Sequence, residues 1–155
     1  MKAQYGAALA VVLGGLLTMA PVSASEPEGK GGRLTLVVEI TGFRNDRGNA
    51  KVALWHSREG FPADESKAVR RYLVPIVAGR AILTVENLEP GTWAIAAFHD
   101  DNDSGKIELG FLGIPKKGLG VSRDAKGFFG PPSFEAAKVV LGPGERRVSF
   151  RVVYY

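Results

Sequence analysis

Between Phe98 and Gly113 the chain reads FHDDNDSGKIELGFLG, a stretch that gathers four acidic side chains, a histidine and a glycine turn between apolar flanks. Asp100, Asn102, Ser104, Lys106 (through its carbonyl) and Glu108 fall on alternate positions, with Gly105 where a sharp turn belongs. A hard cation such as calcium collects several oxygens, and alternate residues of a tight turn can aim theirs at one point. The five residues are therefore candidate metal ligands, and calcium is the cofactor their spacing would admit. The twelfth position, which carries a bidentate glutamate in an EF-hand loop, is Phe111 here, so affinity would be weak. The competing reading is an Asx-rich turn in which Asp100, Asn102 and Asp103 bond their own backbone and Gly105 takes a left-handed conformation.

Catalytic chemistry has thinner support. The chain holds two histidines, His56 and His99, and no cysteine. A metal-dependent hydrolase would have to bring His56, His99 and Asp100 together, because zinc needs three protein ligands. Adjacent strand residues point to opposite faces, which sets His99 against Asp100. No G-x-S-x-G elbow is present, so no catalytic residue is assigned.

The elements that would carry these groups read as strands. RLTLVVEI, residues 33–40, alternates apolar and polar positions, and KVALWHS, residues 51–57, follows a turn over residues 42–48 that suggests a hairpin. Residues 61–67 offer a short helix or turn. Residues 68–77 form a strand that Pro75 confines to an edge, and RAILTVE, residues 80–86, is the next. WAIAAF, residues 93–98, is apolar on both faces and should be central, with Ala94, Ala96 and Ala97 admitting close packing. Residues 137–141, a turn over residues 142–144 and residues 146–154 would close the chain as a last hairpin. About seven strands at this spacing predict an all-β, antiparallel immunoglobulin-like or transthyretin-like β-sandwich.

Residues 109–137 carry glycines, prolines and phenylalanines without strand or helix periodicity. A connection of that length is uncommon and usually functional, so we expect one long ordered loop, a lid that buries Phe111, Leu112, Ile114, Leu119, Val121, Phe128, Phe129 and Phe134. Its GFFGPPSF stretch would plug the sandwich, the alternative being an exposed aromatic platform for a sugar or peptide. The acidic loop and this segment would share one rim, the functional end of the domain.

A short positive start, an apolar run from Ala7 to Ala20 and small residues at Val22 and Ala24 describe a signal peptide over residues 1–24. Residues 25–32 would be a flexible leader and residues 33–155 one domain. Cleavage would remove the only candidate membrane span and place an exported, cysteine-free protein in a bacterial periplasm. The formal net charge is +4, and loss of Lys2 leaves +3. Scattered arginines without interleaved aromatics exclude nucleic acid as a partner. An unspecified ligand or protein remains, and nothing in the sequence sets an oligomeric state.

Three stretches together, VEITGFRNDRGNAKVALWHSREGFP, LEPGTWAIAAFHDDNDSGKIELGFLGIPKKGLGVS and AKGFFGPPSFEAA, resemble the exported bacterial family called Domain of Unknown Function 2141. The resemblance implies a β-sandwich, and LEPGTWAI is similar to the strand entry of carboxypeptidase-regulatory-like domains. It implies no activity. The family pattern has an asparagine-like residue where His56 stands and often an aspartate where Glu108 stands, so the carboxylate is shared and the histidine is not. A non-catalytic binding or structural module is the reading that follows.

Overall fold

A computed structural model describes residues 32–155, so the signal peptide over 1–24 and nearly all of the leader lie outside the described residues. Eight strands follow one another: β1 (Leu34–Thr41), β2 (Asn49–Trp55), β3 (Arg70–Pro75), β4 (Ala81–Leu88), β5 (Gly91–Asp100), β6 (Leu119–Val121), β7 (Val139–Leu141) and β8 (Gly144–Arg151). They form two sheets, one ordered β4-β1-β8 and the other β3-β2-β5-β6, with β7 also paired to β5. The all-β sandwich is the expected one.

Alternation explains the main core. Leu34, Leu36, Val38 and Ile40 of β1 are fully buried and meet Val52, Leu54 and Ile95 of the facing sheet, while Leu83, Val85, Val148 and Phe150 fill the flanks. Burying each such side chain is worth about 1.5–3 kcal/mol, and with no disulfide this cluster is what holds the sheets together. Pro75 ends β3, which is an edge strand. The proline costs no ladder hydrogen bond there.

Three expectations are corrected. The β1–β8 pair is parallel, in register from Leu34↔Gly144 to Thr41↔Arg151, so the sandwich is not wholly antiparallel. The turns at residues 42–48 and 142–143 do not close hairpins, because each carries the chain from one sheet to the other. The segment 109–137 is not without regular structure: it includes β6 and a single helical turn, α1 (Phe134–Ala137), capped where the Ser133 hydroxyl accepts from the Ala136 N–H at 3.2 Å. A three-residue strand and one turn of helix are too short to leave a periodicity.

The central strand is β5, and every residue from Trp93 to Asp100 is buried. Trp93, Ile95 and Ala97 enter the core between the sheets. Ala94 and Ala96 face outward and are covered by Phe134 and Ala137, in a second cluster with Ala53, Trp55 and Val121. An apolar outer face therefore has its cover, as a strand without a polar side requires. Ser122 pins that cover, its hydroxyl accepting from the Ile95 N–H at 3.0 Å and donating to the Ala137 carbonyl at 2.7 Å. The phenylalanine-rich segment thus lies along the outside of the sheet toward the start of β5, whereas the acidic loop leaves its end. The shared rim is not what the chain builds.

Candidate functional site

The acidic loop is set by how β5 ends. The His99 N–H donates to the Gly118 carbonyl at 2.9 Å, which lays residues 117–118 beside the last strand residues. Lys117 is thereby carried alongside Asp100, and both side chains are nearly inaccessible, at 3% and 4% relative exposure. The Lys117 ammonium donates to Asp100 Oδ1, to Asn102 Oδ1 at 2.7 Å and to Ser104 Oγ at 2.7 Å. All three of its N–H bonds are used. The ring of Phe98 lies 5.6 Å below the ammonium, adding a cation–π face.

Three of the five candidate ligands, Asp100, Asn102 and Ser104, therefore converge on one point, and a lysine nitrogen stands there. The other two join the same network without touching it: the Lys106 carbonyl accepts from the Ser104 hydroxyl at 3.3 Å, and Glu108 Oε1 accepts from Asn102 Nδ2 at 2.8 Å. The turn forms as the Asx reading expects. Asp100 also accepts from the N–H groups of Ser104 at 3.2 Å and Gly105 at 2.8 Å, with Gly105 at φ 71°. Among the described residues no group of three or more His, Cys, Asp or Glu is placed to hold a metal ion.

Burial pushes the Asp100 carboxyl up, but the Lys117 hydrogen bond and the Gly105 N–H more than offset it, and the net shift is below the usual aspartate value. Asp101, on the opposite side of the strand end, is held low by Arg44, whose guanidinium meets it at 2.8 Å. A close approach supports the whole loop: a Cβ on Gly48 would stand 1.9 Å from the Asp100 carbonyl oxygen, so only glycine fits there.

His99 takes the other face of β5, as adjacent strand residues must. Its Nε2 stands 2.7 Å from the Arg47 carbonyl and its Nδ1 2.7 Å from the Tyr154 hydroxyl. A carbonyl can only accept, which assigns the hydrogen to Nε2 and leaves Nδ1 to accept from the tyrosine. Both ring nitrogens are used and the ring is 1% exposed, so His99 ties the chain terminus to the rim. Burial raises the Tyr154 phenol above its ordinary value.

His56 is elsewhere. Ala50 pairs with His99 and Trp55 with Ala94, so His56 lies at the other end of the sheet, roughly 20 Å of strand away. There its Nδ1 donates to the Thr92 carbonyl at 2.9 Å and its ring packs on Trp93, in a pocket of about 220 Å³ that Arg33, Arg70 and Glu89 also line. His56, His99 and Asp100 do not converge, because strand register separates the histidines and strand pleat separates His99 from Asp100. The hydrolase geometry is absent.

Past the cage, the Lys116 N–H bonds the Glu108 carbonyl at 2.9 Å and the Gly110 N–H the Ile114 carbonyl at 2.7 Å. This small hairpin has an exposed tip, Phe111 at 84% and Leu112 at 80%, and beyond it Phe128 and Phe129 are open at 95% and 100%. Of the residues expected to be covered, Val121 and Phe134 are buried, whereas Phe111, Leu112, Ile114, Phe128 and Phe129 are not. The GFFGPPSF stretch is thus divided: Phe128 and Phe129 stand in solvent, and Phe134 alone is packed as expected. The sequence carries no signal for Lys117: it follows another lysine in a loop, and nothing local marks which of two adjacent lysines turns inward.

Among the described residues no helix is long and apolar enough to cross a membrane. A family model described as an uncharacterized protein conserved in bacteria matches residues 38–149. No curated protein and no solved structure matches the chain.

Proposed function

From the premise that the chain belongs to the bacterial family DUF2141, whose description carries no activity, we propose that it is a non-catalytic binding module. It works outside the cytoplasm after removal of residues 1–24, and its rim loop is held in shape by its own lysine. The observation that carries this reading is the position of the Lys117 ammonium among Asp100, Asn102 and Ser104. A bound calcium would have to displace that charge and leave a buried lysine without partners, at a cost of several kcal/mol. The same ammonium anchors both ends of residues 100–117, so the apolar hairpin tip is presented in one conformation and a partner meets a preorganised surface.

Calorimetric melting tests this directly. The melting temperature should be unchanged by millimolar calcium or by a chelator, since a ligand stabilises only the state it binds. A calcium-dependent rise in the unaltered protein would instead assign the loop to the cation that its oxygen spacing admits.

A further inference from the structure

The tip Gly127–Gly130 is built to hold two aromatic rings in solvent. A Cβ on Gly127 would lie 1.7 Å from the Gly130 carbonyl oxygen, so the loop is pinched shut beneath Phe128 and Phe129. Their rings pack edge to face at 5.4 Å, and they are 95% and 100% exposed. The anchor lies further along the chain: Pro131 and Pro132 restrict the exit, and Phe134, two residues on, is buried under the second cluster. Two bare phenylalanines on an anchored loop call for an occupant.

Charge indicates its nature. Arg123, Lys126 and Arg151 have no ion-pair partner among the described residues. Of the flanking carboxylates, Asp124 accepts from the Arg151 backbone N–H at 2.7 Å and Glu135 is paired with Lys138, and no acidic residue occurs between Lys126 and Phe134. Two phenylalanines supply roughly 300–500 Å² of contact. That falls short of the roughly 800 Å² that each side of a standard protein interface contributes. A protruding tip also lacks the flat or grooved shape that such an interface matches. Pairing with a second copy would bring the same cations face to face. A lipid surface needs no shape complement: rings settle at the boundary of headgroup and acyl chain while lysine and arginine meet anionic headgroups.

We propose that Phe128 and Phe129 insert into an anionic lipid surface, with Arg123 and Lys126 contacting the headgroups. This assigns a second surface, apart from the Phe111–Leu112 hairpin tip and independent of the Lys117 cage, so the calcium experiment and this one can fail separately. The test is co-sedimentation of the full chain with phosphatidylcholine vesicles, with and without phosphatidylglycerol. Binding should require phosphatidylglycerol and weaken with salt. It should fall at least about tenfold in Phe128→Ser/Phe129→Ser, whose melting should match the unaltered protein, and lose its preference for anionic lipid in Arg123→Gln/Lys126→Gln. Failure of the unaltered protein to sediment with the anionic vesicles overturns the proposal. So does equal binding by the double phenylalanine variant, which would reduce the effect to charge alone. A dimer in sedimentation velocity that the phenylalanine variant abolishes, without vesicle binding, assigns the tip to a second copy and overturns it as well.

Discussion

The outer face of β5 is covered in two different ways along its length. Its first half, Ala94 and Ala96, lies under Phe134 and Ala137; its second half, Phe98 and Asp100, lies under Lys117. Both covers come from the chain that follows the strand, and both leave the strand face buried. The first is non-directional, so small residues on the strand and a ring above them suffice. The second is all direction: a buried carboxylate tolerates burial only with an ammonium beside it, and the ammonium in turn needs Asn102 and Ser104. Apolar cover can be repacked, whereas a charge cage fails when any one partner is lost.

That contrast can be broken first at the cage. Lys117→Met keeps an unbranched stem one atom shorter and leaves Asp100 buried without its counter-charge, which should cost about 3–5 kcal/mol in chemical denaturation. Adding Asp100→Asn should return part of the loss. Acid sharpens the same test. With a folded-state value below 3.8, Asp100 in the unaltered protein stabilises above that pH and ceases to do so as pH falls through the lowered value. In Lys117→Met the ammonium's hydrogen bond and charge are gone, only the Ser104 and Gly105 N–H groups still oppose the effect of burial, and the folded-state value lies higher than in the unaltered protein, so protonation costs the variant less. The gap between the two proteins should therefore narrow on acidification, and a gap that widened would remove the cage as its cause.

At the apolar half, Phe134→Ala should cost about 3 kcal/mol, the low end for a buried phenylalanine because the cluster is small and near the surface. Its pH dependence should parallel that of the unaltered protein, since no ionisable group is uncovered. The smallest effect belongs to the same segment: Phe128→Ser should change stability by less than about 0.5 kcal/mol in denaturant titration, as expected for a side chain with 95% of its surface in water. A loss as large as that at Phe134 would mean that the tip is packed, and would remove the basis for its binding role.

Much of the frame was legible in particular residues. Leu34, Leu36, Val38 and Ile40 announce a strand by their period of two, Pro75 an edge, and WAIAAF a strand covered on both sides. The convergence of Asp100, Asn102 and Ser104 was legible too, because all three lie within one turn whose geometry is local. The parallel β1–β8 pair was not, since its partners stand 110 positions apart, as Leu34↔Gly144 shows, and no turn links them. Nor was the exposure of Phe128 and Phe129. Hydrophobic residues predict burial on average, but a pinch between Gly127 and Gly130 can hold them out, and that pinch is a property of backbone geometry.

By itself the sequence determined that alternating side chains would stack two sheets and that a glycine turn after β5 would gather oxygens around a point, because both follow from bond geometry a few residues long. Which cation fills that point was decided only by the tertiary structure. The pairing of His99 with Gly118 delivers Lys117 to Asp100 from 17 positions away, and the free energy of a buried charge depends on what stands beside it in space.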